Sequence, residues 1–142
     1  MVALAAGAIE PPERPPRRVP LSGSAVTPIT SSTVVWMPLD GDNVSLDPDE
    51  VQVPVDGLRL RTMRCTVTTA PGTGETVTLA VVSGDCGTLG AASPTSLACS
   101  ITNAAKEGSG SASVLVAECG AVKVTYSSGA ATSVPTFRLE VQ

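Results

Sequence analysis

A chain of 142 residues with a net charge of −4 has the size of one ordinary domain, and its acidic balance argues against a general nucleic-acid-binding surface. Aromatic residues make up 2% of it and histidine is absent, which excludes histidine acid–base catalysis, histidine metal sites and aromatic-rich ligand grooves. The composition is 42% hydrophobic and rich in valine, threonine and alanine, the signature of strands rather than helices.

Residues 1–32 read as an extended arm. The opening nine residues are apolar but lack a positive flank, and Glu10 and Pro11 follow at once. This is not the pattern of an export signal, so a soluble protein not secreted by the usual route is expected. No run approaches the ~18–20 apolar residues of a membrane-spanning helix. Pro11, Pro12, Pro15, Pro16 and Pro20 then fix φ and remove backbone donors, which favours polyproline II over helix or central strand. Residues 21–32 stay extended and small. A solvated tail has no need of an apolar tip, so Met1, Val2, Leu4 and Ile9, with the five prolines and Arg17 and Arg18, are read as a surface for docking onto a partner. The arm carries a net +1, from three arginines against Glu10 and Glu13, and the remainder −5, from six basic and eleven acidic residues.

From residue 33 the pattern becomes short strands separated by turn residues. Residues 34–37 form a first strand and 40–43 a turn. Residues 51–55 alternate, with Pro54 marking an edge. A strand runs over 58–69, and Pro71, Gly72 and Gly74 mark the clearest turn. Val77, Leu79 and Val81 share one strand face. Leu97, Cys99 and Ile101 repeat the pattern, as do Val114 and Val116, then Val122, Val124 and Tyr126, and finally Phe137, Leu139 and Val141. About eight strands at this spacing predict an all-β antiparallel sandwich or barrel with almost no helix. A core this poor in aromatics leaves little surplus stability, so association with further copies of the chain is expected.

Four cysteines allow three pairings. No C-x-x-C is present, which argues against a zinc or redox site. Cys86 and Cys99 flank a loop containing Gly87, Gly90 and Pro94, and are either bridged across it or reduced and buried. Cys65 and Cys119 read as reduced, buried side chains.

Chemistry-bearing patterns are few. Lys106 and Lys123 lie in no Ser-x-x-Lys arrangement, and there is no nucleophile elbow, phosphate loop or dinucleotide-binding glycine pattern, so the chain does not read as an enzyme and implies no cofactor. Asp40, Asp42, Asp47, Asp49, Glu50 and Asp56 fit a solvated acidic face better than a calcium loop, whose spacing they do not match. Arg59 and Arg61 share a strand face, which Arg64 joins only if a bulge intervenes. Pairing with the acidic segment of the same or a neighbouring chain is favoured for these arginines over a phosphate or glycan site.

From Glu50 onward the chain resembles a small jelly-roll module of tailed-bacteriophage structural proteins, of the decoration (cement) and fibre-like type. The resemblance rests on residues 51–58, which read V-x-x-P-x-x-G-L, on the Ala70–Gly74 turn, and on the strand of residues 77–81 with Ser83 and Gly84 at its end. Residues 121–129 and 135–141 resemble the two closing strands. It spans about ninety residues. The four cysteines, and the sequence Ser83, Gly84, Asp85, Cys86 in place of an Asn-Gly turn, depart from the module. The resemblance implies a jelly-roll-like sandwich over residues 33–142 carrying the arm of residues 1–32. It further implies a non-enzymatic virion protein made in the bacterial cytoplasm and seated on the capsid surface as a homotrimer. The arm would contact the major capsid protein and neighbouring copies, with no role for membrane or nucleic acid. A receptor- or glycan-binding fibre module is the alternative, which the scarcity of aromatic platforms disfavours.

Overall fold

The computed structural model describes residues 20–55 and 57–142. Among the described residues nine strands carry almost all of the regular structure: β1 (Leu21–Ser24), β2 (Val34–Met37), β3 (Val53–Pro54), β4 (Leu58–Val67), β5 (Gly72–Gly84), β6 (Pro94–Asn103), β7 (Glu107–Val116), β8 (Cys119–Tyr126) and β9 (Pro135–Val141). Two three-residue 3-10 turns, Pro48–Glu50 and Leu89–Ala91, are the only helical segments among the described residues.

The strands form two antiparallel sheets, ordered β1-β9-β4-β7 and β2-β8-β5-β6, with the short β3 also paired to β8. With β3 set aside, the pairings are first with last, second with seventh, third with sixth and fourth with fifth. That is one long hairpin wound around itself, the jelly-roll connectivity, so the all-β sandwich expected from the sequence is present. Period-2 alternation dictates the packing. Val77, Leu79 and Val81 of β5, Leu97, Cys99 and Ile101 of β6, Val122, Val124 and Tyr126 of β8, and Phe137 and Leu139 of β9 all enter the core between the sheets. Each such aliphatic side chain contributes about 1.5–3 kcal/mol by leaving water. Trp36 instead faces outward from the five-stranded sheet. There it joins Val51, Val82, Leu89 and Ala121 in a second, smaller core beneath the loops that carry the two 3-10 turns.

Where β6 passes into β7 the chain crosses from one sheet to the other, and the two backbones press together. A Cβ on Gly110 would lie 1.7 Å from the Ala98 carbonyl oxygen, and one on Gly108 2.4 Å from that of Ser100. Only glycine permits this approach.

Three expectations are corrected. The boundary drawn at residue 32 is too late: Leu21–Ser24 pair with β9, and Ala25 and Ile29 are core residues, so the body begins by residue 21. Its small residues hid that strand, which is fixed by its partner rather than by its own hydrophobic pattern. Pro71 to Gly74 is not a free turn but the irregular start of β5, where Gly72 and Gly74 take positive φ and the register slips before Thr76. The cysteines pair as Cys65–Cys99 and Cys86–Cys119, with Cα atoms 6.2 and 5.2 Å apart. A Cys86–Cys99 bridge is therefore not formed, and Cys65 and Cys119 are not thiols. The reason is register. Cys99 lies opposite Leu79 in mid-strand and faces Cys65 across the core, whereas Cys86 follows the end of β5, where Gly84 lies opposite Cys119.

Candidate functional site

The outer face of the four-stranded sheet gathers four of the nine basic residues of the chain: Arg59, Arg61, Arg64 and Arg138, all exposed. Alternation on β4 is broken once. The register of both neighbouring strands skips between Leu60 and Thr62, so Arg61 is an inserted residue and Leu60 and Met63 both remain buried. That bulge brings Arg64 onto the face of Arg59 and Arg61, as the sequence required for the three to cluster. Arg138 lies far away in sequence, but it is the direct cross-strand partner of Arg64.

The register lays out this face in rows. Ser22, Arg138, Arg64 and Ser109 form one row across β1, β9, β4 and β7. Ser24, Thr136, Thr66 and Glu107 form the row on one side, and Glu140, Thr62 and Ser111 the row on the other. Arg61 donates from Nε to Glu140 Oε1 at 3.1 Å, an exposed pair of the kind worth about 1 kcal/mol or less. Arg64 and Arg138 make no ion pair among the described residues. Two like charges placed directly opposite each other disfavour the pairing by a few tenths to about 1 kcal/mol. A shallow depression of about 220 Å³ lies between Pro20, Arg61, Arg64, Arg138 and Glu140. A broader one of about 670 Å³ extends past Arg64 and Arg138 over Thr66, Ser109 and Thr136.

The acidic segment is placed elsewhere. Asp40 Oδ1 accepts from the Ser22 amide at 3.1 Å and Asp42 Oδ1 from the Ser24 amide at 3.0 Å, while the Gly41 amide donates to the Ser22 carbonyl. These groups cover the free edge of β1, which would otherwise offer unpaired donors and acceptors to another strand. Asp47 caps the first 3-10 turn by accepting from the Asp49 amide, and Glu50 accepts from the Ser45 hydroxyl. Among the described residues no three of His, Cys, Asp or Glu come together as metal ligands. Asp56 lies outside the described residues; among those described, the expected pairing of the arginine cluster with this segment within one chain does not occur, and the ion-pair partner is Glu140.

In the core, the Tyr126 hydroxyl hydrogen-bonds with Ser133 Oγ at 2.7 Å and donates to the Ser133 carbonyl at 3.2 Å. Burial raises its pKa above the ordinary phenol value, and the Ser133 hydrogen bond opposes that rise. On the five-stranded sheet, Lys123 places Nζ 5.7 Å from the ring centroid of its cross-strand partner Trp36.

Of the residues read as a docking surface, Met1, Val2, Leu4, Ile9, Pro11, Pro12, Pro15, Pro16, Arg17 and Arg18 lie outside the described residues. Pro20 is described, and it borders the arginine depression. Sequence reasoning missed Arg138. Its alternation with Phe137 and Leu139 puts it on the outer face, but its neighbour on β4 follows only from the strand order. No helix among the described residues is long and apolar enough to cross a membrane. No family model, curated protein or solved structure matches the chain.

Proposed function

We propose that the protein is a non-enzymatic structural component of a virus particle, a capsid decoration or cement protein. In this reading the sandwich body is seated on a bacteriophage shell as an oligomer, and its proline-rich N-terminal sequence fastens it to neighbouring capsid subunits. The observation that carries the reading is a jelly roll held by two disulfides, one of them joining its two sheets. Jelly rolls are a recurrent architecture of capsid proteins, and persistent disulfides belong to particles that work outside the reducing cytosol. Attachment then proceeds by burial. A polyproline segment is already stiff and loses little entropy on docking, and its apolar tip adds contact area at a distance from the body. Many identical copies convert modest contacts into avidity.

The test is the copy number of the protein per purified particle, with full-length wild type compared with the doubly substituted Leu4→Asp/Ile9→Asp chain. Hundreds of copies for wild type, and loss of attachment by the variant with an unchanged melting temperature, are expected. A handful of copies per particle, as at a fibre tip, overturns the decoration reading. Full decoration by the variant overturns the arm mechanism.

A further inference from the structure

At the centre of the arginine face, no counter-charge is supplied by the described residues. We propose that the Arg64–Arg138 pair, with its rows of serine and threonine hydroxyls, is a binding site for an acidic polysaccharide, with the two guanidinium groups gripping one sugar carboxylate or sulfate. Three observations converge. The two arginines are cross-strand partners, exposed, and without an ion pair among the described residues, whereas nearby Arg61 is matched by Glu140. Guanidinium forks bind carboxylate and sulfate oxygens through paired hydrogen bonds, so one oxyanion between them would also relieve the repulsion of two like charges held face to face. Around the pair, Ser22, Ser109, Thr66 and Thr136 offer hydroxyls that both donate and accept, over a depression of about 670 Å³ that Glu107 also lines. That is the chemistry which matches a chain of sugar hydroxyls.

The charge spacing favours a polysaccharide over other polyanions. Glu107 and Glu140 lie one row away on opposite sides of the pair, two residues along the strands, or about 7 Å. A backbone with a charge on every unit, such as a nucleic acid or an acidic peptide, would bring anions against these carboxylates. A glycan with neutral sugars or hydroxyl-rich stretches around its acid groups would not. The proposal concerns the body alone and does not depend on how residues 1–20 attach it. Single-site affinity without an aromatic platform is weak, and many copies on one particle would raise it.

The experiment titrates the full-length protein with hyaluronan, in which each uronic acid alternates with a neutral amino sugar, its fully methyl-esterified neutral form, a dT20 oligonucleotide and poly-L-glutamate, using calorimetry at fixed ionic strength. Binding to hyaluronan and not to the ester is expected. Arg64→Ala/Arg138→Ala should weaken it by about tenfold or more, as expected for the loss of charge-assisted hydrogen bonds, while Lys123→Ala on the other sheet leaves it unchanged. Thermal melting of each variant checks that the fold persists. Equal binding of the ester, no binding of hyaluronan, or an unaffected double variant overturns the proposal. So does dT20 or poly-L-glutamate binding as tightly as hyaluronan, since the face would then be a general polyanion or acidic-protein surface.

Discussion

Removing the disulfide that ties the two sheets together should have a large and calculable effect. Cys65 on β4 and Cys99 on β6 are separated by 34 residues and are both fully buried, and constraining a loop of that size in the unfolded chain contributes about 3.8 kcal/mol at 25 °C in the chain-entropy treatment. A domain of this kind has a total stability of roughly 5–15 kcal/mol, so this one cross-link is a large share of it. Urea unfolding of Cys65→Ala/Cys99→Ala under non-reducing conditions should show a midpoint lowered by about 2 M, taking a denaturant slope of about 2 kcal/mol per molar. Peptide mapping of the unreduced wild type should recover Cys65 joined to Cys99 and Cys86 joined to Cys119. A stability loss below about 1 kcal/mol, or a peptide joining Cys86 to Cys99, would refute the reasoning.

Other expectations follow from the same packing. Gly110→Ala forces a methyl group onto the Ala98 carbonyl, a backbone atom that cannot rotate away, and should cost about 3 kcal/mol or more by chemical denaturation. Phe137→Ala empties a core position and should cost about 3–5 kcal/mol in the same assay. Asp40→Ala/Asp42→Ala uncovers the edge of β1, and should lower stability by about 1–3 kcal/mol in total while increasing self-association in light scattering. Tyr126 is the single tyrosine, so tyrosinate absorbance near 295 nm reports it alone. Its folded pKa is raised, so its contribution to stability is complete below the unfolded value of about 10 and is lost as pH rises through the folded value. Melting temperature should therefore fall above about pH 10, and Tyr126→Phe should remove that part of the decline.

Strands with strong alternation were legible from the residues alone. Val77, Leu79 and Val81, or Val122, Val124 and Tyr126, declare both their conformation and their buried face. Leu21–Ser24 did not, because a strand of leucine, serines and glycine has no pattern of its own and is held by β9 on one side and by Asp40 and Asp42 on the other. The cysteine pairing was illegible for a related reason. Spacing suggests a hairpin clasp, whereas partner choice depends on which strands face each other across the core. The arginine site was half visible. The bulge at Arg61 could be stated as a condition for clustering, but the contribution of Arg138 required the order β1-β9-β4-β7.

The two disulfides interleave, since Cys86 lies inside the span Cys65–Cys99 and Cys119 lies outside it. A single break in the chain anywhere between Cys65 and Cys119 therefore releases nothing, because at least one sulfur link always bridges the cut. A protease that nicks an exposed loop in this region, such as that around Ala104 to Lys106, leaves one covalent molecule whose halves stay registered. Unreduced, the nicked protein should migrate at full mass, and only a reductant should separate its pieces. Outside a cell, where no machinery rebuilds damaged chains, such a weave lets the module outlast wounds to its backbone.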